Sequence, residues 1–216
     1  MVINLKKIFN TITKILIILL FIYIWRLVQI KGLSVNKFYI YLYLLLVICS
    51  LISDRYFYTG QKTENKKEHE ITSYYLSLTW FATLIIPILE YIYIMRYNLF
   101  LTILGTVLIV SGTIIRGIGI KALGKFFSRD VENWENQRII KTGIYKYIRH
   151  PAYAGNILQI IGFPLVLNSY FSLILSLITI SGFLWRIKVE EEFLMKEFPE
   201  YKKYIKETKR IIPKIW

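Results

Sequence analysis

Arg116 lies deep in a run of apolar residues from Leu99 to Ile120. A cation in such a segment is costly in a bilayer and usually faces a counter-charge or a water-filled cavity. The bland alternative is that it snorkels to the nearby basic loop. A second constellation, Arg186-Ile-Lys-Val-Glu190-Glu191-Glu192, follows the last apolar run. Arg186 and Glu190, four apart, share a helix face, either as part of a site or as an ordinary intrahelical ion pair. The third is Arg149-His150-Pro151-Ala152-Tyr153, where a polar loop enters another apolar run. Pro151 suits the first turn of a helix, whose unpaired N–H groups can hold a carboxylate; a purely structural histidine is the alternative. A guanidinium suits the orientation of a carboxylate.

The elements that must position these residues are apolar blocks: Ile15–Ile30, Phe38–Ser53, Ile71–Met95, Leu99–Ile120, Tyr153–Leu167 and Tyr170–Trp185. About 20 apolar residues cross a bilayer as a helix. The two middle blocks are long enough, the first two need their flanking aromatics, and the last two form a helical hairpin around Asn168-Ser169. The expectation is an all-α polytopic membrane protein of about five to six transmembrane helices, with a cytoplasmic C-terminal cofactor-binding region. The first block follows Lys6, Lys7 and Lys14 without a small-x-small cleavage site, and is expected to be a retained signal-anchor.

Composition supports this class, with 55% hydrophobic residues and a mean hydropathy of +0.46. The basic excess, 28 Lys+Arg against 14 Asp+Glu, is unevenly placed. Segments 1–14, 54–70, 121–150 and 186–216 hold 3, 4, 7 and 9 basic residues, whereas the alternate loops hold only Lys31, Lys37 and Arg96. The positive-inside rule then puts both termini in the cytoplasm, with the inner membrane of a prokaryote as the expected location. Such a surface favours anionic lipid headgroups. No basic stretch is laid out to read a nucleic-acid groove, so nucleic acid is not an expected partner. Cys49 is the sole cysteine, and His69 and His150 are the only histidines, so no metal site is expected.

The chain divides into residues 1–97, transmembrane helices without a motif, and 98–216, where the candidate chemistry lies. The first part contains a mixed-charge connector, Asp54–Glu70, read as solvated. In the second, Gly105, Gly112, Gly117 and Gly119 mark a helix that packs closely on a neighbour. The loop Gly124–Lys146 is long and carries Phe126, Phe127, Trp134, Ile139 and Ile140, so it should pack onto something. From Arg186 to Lys209, Val189, Phe193, Leu194, Phe198, Tyr201 and Ile205 recur on one side of an amphipathic helix that Pro199 interrupts.

The run from Thr142 to Gly155, Thr-Gly-Ile-Tyr145-Lys-Tyr-Ile-Arg149-His150-Pro151-Ala152-Tyr153-Ala-Gly, resembles the G-x-Y-x-x-x-R-H-P-x-Y-x-G signature of the isoprenylcysteine carboxyl methyltransferase family. Arg186, Glu190-Glu191, Leu194, Phe198, Glu200-Tyr201, Tyr204 and Pro213 resemble the family's tail, and Arg116 with Gly124-Lys-Phe-Phe its upstream block. The resemblance covers roughly residues 100–213. It implies S-adenosylmethionine held by the C-terminal half without a Rossmann domain, and no glycine fingerprint is present. It further implies that Gln137, Arg138, Ile139 and Ile140 line the cofactor, that Tyr145, His150, Pro151 and Tyr153 contact it, and that Glu190, with help from Glu191, engages it. Arg116 and Arg186 would be the substrate-side arginines. Gln137 stands where the family commonly has His, Ala152 where it has Ser, and Ile139-Ile140 where it has Leu-Val.

The resemblance implies an isoprenylcysteine-like or isoprenoid acid as the acceptor, arriving from the bilayer; an ionised carboxylate needs orientation by the two arginines and a dry pocket more than a base. A phospholipid amine of the ethanolamine type is the alternative; it would first lose a proton, with His150 or a glutamate as base. A transporter or scaffold, with Arg26, Glu90 and Arg116 along a path, is the non-enzymatic rival, although no paired-repeat symmetry is evident. The sequence leaves the oligomeric state open.

Overall fold

The computed structural model describes residues 36–57, 70–127 and 139–213, with five further helical positions between residues 22 and 30. The helices are α1 (Lys37–Phe57), α2 (Glu70–Ile94), α3 (Leu99–Leu123), α4 (Pro151–Val166), α5 (Ser172–Glu197) and α6 (Tyr201–Glu207). Short 3-10 turns lie at Gly124–Phe126 and Gly143–Lys146. Among the described residues, the one pairing of strand type is an isolated bridge between Ile148 and Lys209. The all-helical expectation therefore holds.

Among the described residues four helices, α1, α2, α3 (extended to Phe126) and α5, are long and apolar enough to cross a membrane, and α4 is a shorter apolar helix. Their outward faces are broadly apolar: Leu45, Ile52, Leu78, Phe100, Val107, Ile114, Ile174 and Leu177 are all exposed. The chain is thus a multi-pass membrane protein. Of the first apolar block, Ile15–Ile30, the described residues include only the five helical positions between residues 22 and 30. Two boundaries differ from expectation. Helix α1 runs through Asp54 and Arg55 to Phe57, so the supposed connector begins as the helix's last turn. The second hairpin arm and the amphipathic segment form one unbroken helix, α5, from Ser172 to Glu197. The predicted interruption at Pro199 is real, with α6 restarting at Tyr201.

The α3–α4 pair forms the closest packing. A Cβ on Gly112 would stand 2.5 Å from the Gly155 carbonyl oxygen, and one on Gly105 would stand 2.6 Å from the Val166 nitrogen. Neither gap admits a methyl group, which is why glycine occupies those turns. Polar bonds tie the same pair together, from Gln159 Nε2 to Thr113 Oγ1 at 2.9 Å and from Thr102 Oγ1 to the Val166 carbonyl at 3.0 Å. Helix α2 packs on α5, where Thr83 and Thr179 meet at 3.1 Å. The apolar core joins Ile40 and Tyr43 of α1, Tyr91 and Ile92 of α2, Ile109 of α3 and Phe163 of α4.

The alternating helix directions bring five termini to one end of the bundle: the ends of α1, α3 and α5 and the starts of α2 and α4. The described parts of the basic segments 54–70, 121–150 and 186–216 begin or end at those termini. A strap closes that end, with the Arg149 and His150 N–H groups donating to the carbonyls of Lys209 and Arg210 at 2.8 and 2.9 Å.

Candidate active site

A cavity of about 800 Å³ opens at the basic end. Its polar part is built by the residues after the Gly143–Lys146 turn, the start of α4, the last turns of α5, and α6. Tyr145, Arg149, His150, Tyr153, Glu190, Tyr201 and Tyr204 line it, with Phe127, Ile139 and Ile140 of the long loop. Its apolar lining includes Leu51 of α1 and Leu76, Trp80, Phe81 and Leu84 of α2. Arg116 and Arg186 also line the cavity. Arg186 lies one turn deeper along α5 than Glu190.

Glu190 is positioned by α5 and by Tyr153, whose hydroxyl donates to Oε2 at 2.7 Å. Tyr153 stacks on His150 with ring centroids 5.7 Å apart. His150 is buried and its Nε2 is 3.1 Å from Glu191 Oε1. Glu191, next in sequence, serves a different wall. Arg149 Nε donates to its Oε1 at 2.8 Å and Arg210 Nε to its Oε2 at 2.9 Å. Arg149 Nη1 also donates to the carbonyls of Ile205, at 3.2 Å, and Thr208. Glu191 is therefore the buried anchor that fastens the C-terminal strap and the His150 ring to α5, and it does not line the cavity. Pro151 is not on the cavity wall either; it packs at Gly119 of α3, where an added Cβ would lie 3.1 Å from its ring.

The two arginines find partners on other helices. Arg116 Nε and Nη2 donate to Asp54 Oδ1 and Oδ2 at 2.7 and 2.9 Å, a bidentate pair. Its guanidinium also lies 5.9 Å from the Phe127 ring centre. It faces a counter-charge and a cavity, as the physical cost of its position requires, and does not snorkel. Arg186, 1% exposed, donates through Nη1 to Thr72 Oγ1 at 2.5 Å and Ser73 Oγ at 3.1 Å, both on α2. Tyr204 donates to the Tyr145 carbonyl at 2.5 Å, holding α6 over the turn. Burial pushes the Tyr204 phenol up to about 12; burial and then the Glu190 charge push Tyr145 and Tyr201 up as well. All three therefore stay protonated and able to donate.

Of the residues singled out in the sequence, the cavity gathers Arg116, Ile139, Ile140, Tyr145, His150, Tyr153, Arg186 and Glu190. Gln137 and Arg138 lie outside the described residues. Sequence reasoning did not single out Asp54, Thr72, Ser73, Tyr201 or Tyr204 as site residues. The one available signal was for Asp54: an acid at the edge of one apolar segment is the natural partner of a lone arginine in another.

Fold and site together define a polytopic helical membrane protein with a half-buried cavity where aqueous loops meet the apolar interior. Over residues 103–196 the chain matches the isoprenylcysteine carboxyl methyltransferase (ICMT) family, the family its motifs resemble, with the match ending before Phe198, Tyr201, Tyr204 and Pro213 of the tail. It is 34% identical over 108 residues to a protein-S-isoprenylcysteine O-methyltransferase of Saccharomyces cerevisiae, covering 47% of this chain and 45% of that protein. It is 29% identical over 118 residues to a probable protein-S-isoprenylcysteine O-methyltransferase of Oryza sativa subsp. indica, covering 53% and 62%. The chain thus spans about half the length of these curated relatives. Its fold is similar to that of the eukaryotic intramembrane Ras methyltransferase ICMT, with a TM-score of 0.54 and 22% identity over 64% of this chain and 52% of that one.

Proposed function

We propose that this chain is an integral-membrane methyltransferase that moves a methyl group from S-adenosylmethionine to the carboxylate of an isoprenylcysteine-like or isoprenoid acceptor. The observation that carries the reading is one cavity holding a carboxylate, Glu190, one helical turn from a buried guanidinium, Arg186, with apolar side chains of α1 and α2 also lining it. The basic end is assigned to the cytoplasm by its charge, with both termini on that side.

The residues present fit S-adenosylmethionine. The cavity is of the size that takes a drug-sized ligand, and it offers a carboxylate for the ammonium and aromatic faces for a sulfonium and a flat base. Glu190, Tyr145, His150, Tyr153, Ile139 and Ile140 would hold it, with Gln137 and Arg138 assigned by resemblance. Glu191 and Pro151 would support that wall from behind. When bound, the group supplies a methyl already attached to a good leaving group, so the protein's task is alignment. Tyr153 fixes the Glu190 carboxylate, and the Glu191–Arg149–Arg210 cluster fixes the ring of His150 and closes the strap against water. Arg186, steadied by Thr72 and Ser73, is placed to orient an acceptor carboxylate, with Arg116 on the other wall. No base is required for an acid that is already ionised at neutral pH.

The second reading is an acceptor that is a lipid amine of the ethanolamine type, for which His150 on the cavity wall is the candidate base that would take its proton. Purified protein in nanodiscs, given methyl-labelled S-adenosylmethionine with either a prenylated cysteine or phosphatidylethanolamine, separates the two. Base-labile label on the prenylated acid supports the carboxyl ester. Base-stable label on the phospholipid supports the amine. Label on neither, with folded protein, contradicts the methyltransferase reading for these acceptors.

A further inference from the structure

Arg116 is held in an unusual way for a residue that should meet a substrate. Two of its nitrogens already grip a carboxylate, Asp54, in the fork geometry a guanidinium uses for any carboxylate. Asp54 belongs to α1, outside residues 103–196, where the family match lies. Both side chains are largely buried, at 10% and 21% exposure, and both line the cavity. An unpaired arginine there would be costly, so some anion must face it at all times. An acceptor acid presents the same chemical group as Asp54 to the same donors.

Resting on the methyltransferase reading with an acid acceptor, we propose that Asp54 is an exchangeable counter-ion. It neutralises Arg116 while the acceptor side is empty and yields the guanidinium to the acceptor's carboxylate when the acceptor binds. Two consequences follow from charge alone. Asp54 weakens acceptor binding because it competes for Arg116, and the competition applies only to acceptors that carry a carboxylate. Asp54 is then a specificity-determining residue in the half of the chain that carries no family motif. A purely structural Asp54 would behave in the opposite way, because its removal would loosen Arg116 and weaken every acceptor.

The test measures binding of a prenylated cysteine with a free carboxylate, and of its carboxamide, to the unmodified chain and to Asp54→Asn in nanodiscs loaded with S-adenosylhomocysteine. Asp54→Asn should bind the acid about tenfold more tightly, near the weak end of couplings between close charge pairs, and the amide unchanged. An unchanged or weakened acid, or equal changes for acid and amide, overturns the proposal. Asp54→Ser, which also removes the charge, gives the same readout if the asparagine variant does not fold. S-adenosylhomocysteine binding is measured first on each sample. Its absence from folded unmodified protein defeats the methyltransferase reading itself, whereas its presence without the acid-selective gain defeats only the counter-ion role of Asp54.

Discussion

Glu90 and Glu190 are carboxylates on long apolar helices, at opposite ends of the same bundle, and they are used in opposite ways. Glu90, with a side chain 7% exposed, binds the start of α5. It accepts from the Phe171 N–H at 3.0 Å, the Ser172 N–H at 2.8 Å and the Ser172 hydroxyl at 2.7 Å. A negative charge on unpaired N–H groups at a helix start is stabilising in itself. Around it the far end is closed, with Asn168 Nδ2 on Thr102 and the Ser169 hydroxyl on the Pro87 carbonyl. Glu190 instead receives the Tyr153 hydroxyl and faces a cavity. The lesson is that a membrane-embedded acid by itself says little about function. Whether its oxygens are used up by backbone, as at Glu90, or kept facing a space, as at Glu190, distinguishes the two roles. The Glu90 oxygens are taken by the start of α5, so of the residues that a translocation path would use, Glu90 has a structural role of its own.

Four substitutions sharpen or break this contrast, taken from the largest expected effect. Glu191→Ala removes the anchor of two arginines and a histidine, leaving Arg149 buried without its carboxylate. Loss of one partner of such a cluster costs about 3–5 kcal/mol, seen as a large drop in the thermal midpoint. Glu190→Ala should lower S-adenosylmethionine affinity roughly 100-fold, in the range of a lost charged contact, with the midpoint nearly unchanged. Glu90→Ala should do the reverse, losing about 1–3 kcal/mol of stability as buried N–H groups lose their acceptor, with donor affinity retained. Arg96→Ala is the mildest. Its 3.9 Å pair with Glu90 is partly exposed, so about 0.5 kcal/mol or less is expected by thermal unfolding. A Glu90 variant that loses donor binding, or a Glu190 variant that mainly loses stability, would break the comparison.

Much of this was legible in the residues. The hairpin around Asn168, the glycine-lined face of α3, the apolar lengths and the clustering of His150, Tyr153, Arg186 and Glu190 follow from period, charge and motif. What was not legible depends on partners distant in sequence. Arg186 and Glu190 share a helix face, but their contacts, Thr72 and Tyr153, come from α2 and α4 and cannot be found by counting along α5. Neighbouring glutamates point to different walls of one helix, so Glu190 meets the cavity while Glu191 anchors the strap. Asp54 was read as part of a solvated connector because mixed charges follow it, yet α1 continues through it and delivers it to Arg116, 62 positions away. The first half thus carries no motif but supplies the α1–α2 walls of the cavity.

The most direct test of the central claim is calorimetric titration of S-adenosylmethionine into the purified protein and into the Glu190→Ala and Glu90→Ala variants, each shown to be folded. Saturable binding by the unmodified protein and Glu90→Ala, and its loss in Glu190→Ala, is the expected result. Absence of binding by the folded unmodified protein, or full affinity in Glu190→Ala, would contradict it.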